Sequence, residues 1–448
     1  MTCFVRSGAL LGACVAVLAL CAYAMPGARA AEVTAADQKV LLVKALKHPD
    51  DYQTVFEYVR VSEELHDYEA AIGALERLLF YNPKLTRVKY ELATLYYRSG
   101  SYQMAVDYFK KTLASPDLDA DTRSRIDAYL PLAEKENSPV RTWLFLQAGI
   151  RYQSNASFTP SSGMVLDSGS GFPVPLDLSQ PHGADWNAFA LGLFANDIDF
   201  GNAPGDRFET RVTGYATNQF ALPSLNVGLL SGSFGPRLAL APITWPGLTI
   251  KPYVVGSAIW VAGAPYTTEG GGGVTLSAPF GKMLTITPYI EWQRADYSNG
   301  DPANQLGTAD MLTAAASAAL KLGDAVTLNG GFSYQRSTAD MPDQSNTQYS
   351  EQFSVAFRFD PPFAHIAQKW TLTPFVGFTQ TAFDIPNPAV DPGVTRSDTS
   401  WQAGVAFDTP LTAHFGVAGA LTYQNTASNI INYSFDDWSA IIGPTLRF

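Results

Sequence analysis

The segment Gln352-Phe353-Ser354-Val355-Ala356-Phe357-Arg358-Phe359 alternates between large apolar and small or polar side chains. Successive side chains of a strand point to opposite faces, so Phe353, Val355, Phe357 and Phe359 form one apolar face. Gln352, Ser354, Ala356 and Arg358 form the other. The same period recurs where Val326, Leu328, Phe332 and Tyr334 interleave with Thr327, Asn329, Ser333 and Gln335. It recurs again where Phe415, Val417, Leu421 and Tyr423 interleave with Gly416, Ala418, Ala420 and Thr422. A soluble sandwich explains the apolar face but not the small, glycine-rich one. A transmembrane barrel explains both, with the apolar face toward lipid and the other lining the lumen.

Segments of this kind are predicted near 142–154, 185–199, 207–220, 226–238, 248–262, 270–280, 283–297, 309–322, 325–337, 349–360, 370–383, 399–408, 412–425 and 435–448. Most exceed the ~5–6 residues usual in globular sheets and reach the ~9–11 that cross a tilted bilayer. Fourteen strands, an even number, return the C-terminus to the side on which the barrel begins. Connections are long after most odd strands, as at Ala156–Ala184 and Asn299–Thr308. They are tight after several even ones, as at Gly281-Lys282 and Gly323-Asp324. Ala221–Leu225, after the third strand, is a short exception. Aromatics gather toward strand ends, at Tyr152, Trp186, Trp292, Tyr334, Trp370, Trp401, Tyr423 and Trp438, as interfacial girdles do. The terminal Gly443-Pro444-Thr445-Leu446-Arg447-Phe448 resembles a barrel insertion signal through Gly443, Leu446 and Phe448, which implies the barrel assembly machinery as a partner. Ile441 replaces its usual polar residue, and Pro444 removes a ladder donor at the seam.

The rest of the chain has another composition. Residues 31–139 hold 32 charged residues and two glycines, whereas residues 140–448 hold 37 charged residues and 31 of the 36 glycines. With the breaker Asn137-Ser138-Pro139, this divides the chain into a signal peptide at 1–30, a helical domain at 31–139 and the barrel at 140–448. Residues 1–30 carry Arg6, an apolar run from Ala9 to Ala24 and the small-residue site Ala28-Arg29-Ala30. Ala22-Tyr23-Ala24 is a second cleavage site. Leu11-Gly12-Ala13-Cys14 has the form of a lipoprotein site, but the apolar run continues beyond it.

The helical domain repeats. Asp67-Tyr68-Glu69-Ala70-Ala71 returns 34 residues later as Ser101-Tyr102-Gln103-Met104-Ala105, with Leu75 matched by Phe109 and Tyr58 by Leu92. This period resembles the tetratricopeptide repeat, with flanking helices near Ala36–Lys47 and Asp121–Glu136 as caps and a kink expected at Pro131. Such repeats stack into a concave surface that engages peptides. That groove would display Phe56, Arg60, Arg87, Tyr90 and Tyr97, unless these side chains belong to the inter-repeat core.

Composition excludes several functions. Net charge is −11 without a basic block, so nucleic acid is not a partner. Cys3, Cys14 and Cys21 all precede residue 22, leaving the exported chain no disulfide, thiol nucleophile or cysteine metal site. Five scattered histidines offer no metal centre, and no cofactor is implied. G-x-S-x-G, H-E-x-x-H and phosphate-loop motifs are absent, so the chain is not expected to be an enzyme. Gly270–Gly273 opens a strand as a turn or a thin wall. His414, near a strand start, has no matching serine motif. Strand parity places Arg151, Glu209, Arg211, Glu291 and Arg358 in the lumen, as conduit lining or as mutually paired props. Inward Gly331, Gly377, Gly416, Ala418 and Ala420 favour open space.

The run Arg87-Val88-Lys89-Tyr90-Glu91-Leu92-Ala93 through Tyr96-Tyr97-Arg98-Ser99-Gly100-Ser101-Tyr102 resembles the repeat of the surface lipoprotein assembly modifier (Slam) family. So does Thr122-Arg123-Ser124-Arg125-Ile126-Asp127-Ala128-Tyr129-Leu130, followed by a first strand ending Tyr152-Gln153-Ser154-Asn155. The resemblance spans nearly the whole mature chain, although the helical part is short for the family. It implies a 14-stranded antiparallel transmembrane barrel in the bacterial outer membrane, behind periplasmic tetratricopeptide-type repeats. It further implies protein clients brought to the surface, with the repeats binding periplasmic partners. Exopolysaccharide export and passive diffusion are the alternatives. A first loop, Ser157–Gly183, folded inward would favour a pore or gate.

Overall fold

The computed structural model describes residues 34–48, 51–167, 171–176, 183–202, 205–240, 245–297, 307–363 and 366–448. The predicted signal peptide lies outside them, as does most of the predicted long loop Asn299–Thr308. Two compact units divide between Ser138 and Pro139.

Among its described residues the first unit holds six helices: α1 (Ala35–Lys47), α2 (Tyr52–Glu64), α3 (Tyr68–Tyr81), α4 (Thr86–Arg98), α5 (Tyr102–Leu113) and α6 (Ala120–Glu136). Side chains, three of them aspartates, cap four N-termini. Asp51, Asp67 and Asp119 accept from Thr54, Ala70 and Thr122, and Thr34 forms a reciprocal box with Asp37. Successive hairpins repeat at 34 residues down to the backbone. His66 and Gly100 both adopt positive φ, and Asp67 N–H to Ser62 O matches Ser101 N–H to Tyr96 O. The expected core forms, with Ala71, Leu75, Leu92, Ala105, Phe109 and Ile126 excluded from solvent. Alanines at 71 and 105 leave room for Leu75 and Phe109 to fill. Helix α6 runs from Ala120 to Glu136 with Pro131 inside it.

The second unit is a closed antiparallel barrel of fourteen strands. They are β1 (Val140–Gln153), β4 (Asp185–Asp199), β5 (Arg207–Gln219), β6 (Val227–Ala239), β7 (Thr249–Val261), β8 (Ala264–Phe280) and β9 (Leu284–Asp296). The circle continues with β10 (Ala309–Leu322), β11 (Val326–Ala339), β12 (Asn346–Phe359), β13 (Trp370–Phe383), β14 (Ser397–Pro410), β15 (Phe415–Ser428) and β16 (Phe435–Arg447), which closes on β1. The short pair β2 (Met164–Leu166) and β3 (Pro173–Pro175) decorates the first loop. Outward positions are exposed and apolar, for example Leu230, Phe234, Ile290, Phe332, Phe353 and Ile442. A closed sheet leaves no unpaired edge in lipid, and this exterior is that of a membrane-spanning barrel.

One expectation needs correction. The sixth strand starts at Ala264, not at 270. Ala262 and Gly263, both at positive φ, turn β7 into β8 in two residues. Gly270–Gly273 therefore sit inside β8 rather than opening it. There the backbones crowd: a Cβ on Gly271 would lie 1.9 Å from the Trp292 carbonyl oxygen. Of the aromatics expected near strand ends, Trp370 opens β13 at the end of the barrel shared with Val140 and Phe448. At the opposite end Tyr152–Trp186, Trp401–Tyr423 and Tyr423–Trp438 form ring pairs at 5.1, 5.2 and 4.9 Å.

Strand prolines sit at the gaps in four ladders, while the β7–β8 ladder shifts register between Ile259 and Trp260. Pairing skips between Phe234↔Val254 and Leu238↔Ile250, where Pro236 and Pro252 oppose each other. It skips beside Pro288, beside Pro374, and between Gln147↔Thr445 and Ile150↔Ile442 beside Pro444. Each proline keeps its place opposite the other neighbouring strand, as Pro444 does opposite Val417. The missing N–H thus falls on one side only.

Candidate functional site

The barrel interior is assembled from strand parity. In Arg207-Phe208-Glu209-Thr210-Arg211 the odd residues share the inner face of β5. Antiparallel register sets Arg207 opposite Arg237 of β6 and Glu209 opposite Asp197 of β4. Lys251 faces inward from β7. Facing carboxylates repel, and the surrounding cations offset this. Glu209, 2% exposed, accepts from Arg207 Nε at 2.9 Å, Arg237 Nε at 2.6 Å and Nη2 at 3.1 Å, while Lys251 Nζ stands 3.2 Å away. Arg211 bridges to Asp197, and Arg237 Nη1 donates to Thr249 Oγ1 at 3.1 Å.

All of these charged residues but Asp197 line a recess of about 740 Å³, completed by Gly205, Trp245, Gly247 and Ser277. It opens at the end of the barrel where Val140 begins and Phe448 finishes. An adjoining hollow of about 390 Å³ is bounded by Arg211, Ser231, Ser233, Tyr253, Tyr289 and Glu291. There Glu291 accepts the Tyr253 hydroxyl at 2.8 Å and Gln293 Nε2 at 2.7 Å. Another wall, near Asn329, Gly331, Gln352, Ser354, Thr373 and Gln402, bounds about 520 Å³ and carries no charge.

Of the five residues expected in the lumen, Glu209 and Arg211 meet directly, and Glu291 borders the same polar wall. Arg151 and Arg358 stand apart on β1 and β12, and the Arg151 Nε is buried without a partner among the described residues. Arg207, Arg237, Lys251 and Asp197 were not singled out from sequence. Their inward parity was available, but the register joining four strands was not.

In the helical unit, Phe56 lies beneath the Arg87 guanidinium at 4.8 Å, and Arg60 pairs with Glu64. Tyr90 stands 6.4 Å from the Phe109 ring, and Tyr97 contacts Tyr102 and Tyr129. Phe56, Tyr90 and Tyr97 all pack against the core while remaining partly exposed. At the chain end, Leu446 and Phe448 are exposed. Phe448 stacks on His414 at 5.5 Å and exchanges backbone hydrogen bonds with Leu144. His414 Nδ1 lies 2.8 Å from the Arg447 carbonyl oxygen, which gives it a structural partner. The first loop is tied to the rim rather than free: Ser161 N–H donates to Ser434 O, and Leu166 N–H to Asn432 Oδ1. Among the described residues no group of three or more His, Cys, Asp or Glu is placed to hold a metal ion.

No protein-family model matches this chain, and no curated protein does. Among solved structures, OccAB3 of Acinetobacter baumannii matches at 8% identity and a TM-score of 0.35, over 69% of this chain and 99% of that one. A BenF-like porin from Pseudomonas fluorescens Pf-5 matches at 10% identity and 0.32, over 69% and 99%. A FadL homologue of Pseudomonas aeruginosa matches at 8% and 0.35, over 69% and 90%. At these scores the likenesses add nothing to what the barrel's own geometry says.

Proposed function

We propose that this protein is an outer-membrane conduit that passes polar solutes through its barrel. One observation carries the reading: the inner faces of β5–β9 and of β11–β14 present mainly small or polar side chains beside open hollows, with Val255 and Phe375 as apolar exceptions, while most large apolar residues face outward. A lumen filled with interlocking apolar side chains would instead serve as a core. The test is conductance of the purified full-length chain in planar bilayers. Discrete steps are expected, and a chain that inserts without conducting overturns the reading.

A second reading follows the Slam resemblance, in which tetratricopeptide-like repeats in the periplasm hand client proteins to the barrel. Its support is the 34-residue repeat with Arg87 poised over Phe56, a charged and aromatic pair suited to peptide recognition. Protease shaving of intact cells with and without the gene would show specific proteins lost from the surface and retained in the periplasm. An unchanged surface proteome removes this reading and leaves the solute conduit standing. In both readings Gly443, Leu446 and Phe448 present the last strand to the barrel assembly machinery.

A further inference from the structure

The recess around Glu209 has an imbalance of charge. Four cations line it, Arg207, Arg211, Arg237 and Lys251, against one carboxylate, Glu209. Asp197 pairs with Arg211 from outside the lining. Asp206, next along the chain, is committed to its own turn: it accepts Ala239 N–H and Asn202 Nδ2. With Asp197, Asp206 and Asp199 opposite Arg207 the neighbourhood as a whole is balanced, but the lining that solvent reaches presents four cations and one carboxylate.

The four cations are not equivalent. Glu209 draws Arg237 and Lys251 into the wall, at 16% and 8% side-chain exposure. Arg207 and Arg211 remain 39% and 40% exposed, although Arg211 Nη1 already donates to Asp197 and to the Thr210 carbonyl oxygen, and its Nη2 lies 3.8 Å from Glu209. Arg207 is held through Nε, which leaves the Nη edge of its guanidinium as donor. A planar fork with free Nη groups matches the paired oxygens of a carboxylate or phosphate. Glu209 thus does two things. It anchors the buried cations, and it fixes Arg207 from behind so that little rotamer freedom is lost when the front edge binds.

We propose that this recess binds the carboxylate or phosphate group of an anionic solute through Arg207 and Arg211, with Glu209 as the positioning residue. The inference deepens the conduit reading by naming a solute class. Because the site lies on one wall at one end of the barrel, it acts as a local binding station at that mouth. Low local dielectric beside the buried Glu209 strengthens such an ion contact relative to bulk water.

Trp245 lines the recess and supplies a readout that does not depend on conduction. Its indole donates to the Pro279 carbonyl at 2.6 Å and its ring meets Phe280 at 4.6 Å. Citrate, and separately inorganic phosphate, would be titrated into the full-length protein in detergent at constant ionic strength while tryptophan emission is followed. A saturable change is expected, absent from W245F. It should shift to at least roughly tenfold weaker affinity in R207Q/R211Q, as loss of charge-assisted hydrogen bonds predicts. R358Q, an inner-face charge outside the recess, should leave it unchanged. No saturable change, or an equal affinity in R207Q/R211Q, overturns the proposal. Citrate alone responding identifies carboxylates as the class, and phosphate alone identifies phosphates. Binding without conductance would overturn the conduit and leave this site standing.

Discussion

Gly443 on the last strand and Gly149 on the first approach so closely across the closing seam that neither can carry a side chain. A Cβ at 443 would lie 2.0 Å from the Ala148 carbonyl oxygen, and one at 149 would lie 2.1 Å from that of Ile442. The same contact occurs inside the barrel, where a Cβ on Gly235 would lie 2.1 Å from the Pro252 carbonyl oxygen. Both glycines precede a proline, Pro236 or Pro444, at a ladder gap. Strand β16 therefore meets β1 as β6 meets β7. The seam is an ordinary barrel joint, and the awkward Pro444 is part of its design.

Valine at Gly443 or Gly149 should stop the barrel closing. The folded, fast-migrating band of unheated protein in detergent gels is expected to be lost. Gly214→Ala, where no atom lies within 4 Å of the added Cβ, should fold normally. A closed G443V barrel would refute the steric argument.

The Ala262-Gly263 turn places a non-glycine residue at φ 51°. Side chains with a Cβ are disfavoured there, whereas asparagine tolerates it. Ala262→Asn should stabilise the barrel by about 0.5–1 kcal/mol in urea unfolding from vesicles. Ala262→Val should destabilise it.

Glu351 lies on the outer face of β12, opposite Phe332 and Phe378, both exposed to the surroundings. A carboxylate in this apolar belt costs free energy, though less than Arg or Lys at mid-depth, which costs ~2–4 kcal/mol. Glu351→Leu should raise the urea midpoint by the equivalent of about 1 kcal/mol, and Glu351→Lys should lower it. A midpoint unchanged by Leu would mean that Glu351 is shielded from lipid.

In the helical unit, burial pushes the Glu91 carboxyl above its ordinary value of 4.5, and neighbouring Glu63 adds to this against Arg87, Arg98 and Arg125. An acid held more tightly protonated in the folded state favours folding at low pH. That contribution is complete below pH 4.5 and is lost as pH rises through the raised value. Glu91→Gln should therefore stabilise the helices at pH 7, by less than about 1 kcal/mol because water reaches the group, and change little at pH 4. Thermal melting at 222 nm on the full chain at both pH values checks the sign.

Much of this was legible in the chain. Period-two alternation in segments such as Gln352–Phe359 marks each strand because lipid and lumen impose opposite demands on its two faces. The 34-residue return of Tyr68 as Tyr102 marks the helical hairpins because the same packing must be made twice. The β7–β8 turn escaped notice because Ala262 carries no turn signal of its own. Only the neighbouring Gly263 and the pairing of Val261 with Ala264 impose it.

The candidate site was legible only in part, for a physical reason. Alternation assigns Glu209 and Arg211 to an inner face locally, residue by residue. What brings Asp197, Arg207, Arg237 and Lys251 around Glu209 is the register between β4, β5, β6 and β7. Register depends on turn lengths and on where Pro236 and Pro252 interrupt pairing, quantities that exist only between strands. Alternation in the sequence assigns each residue to one face of its strand, and the closed barrel alone decided which charges meet.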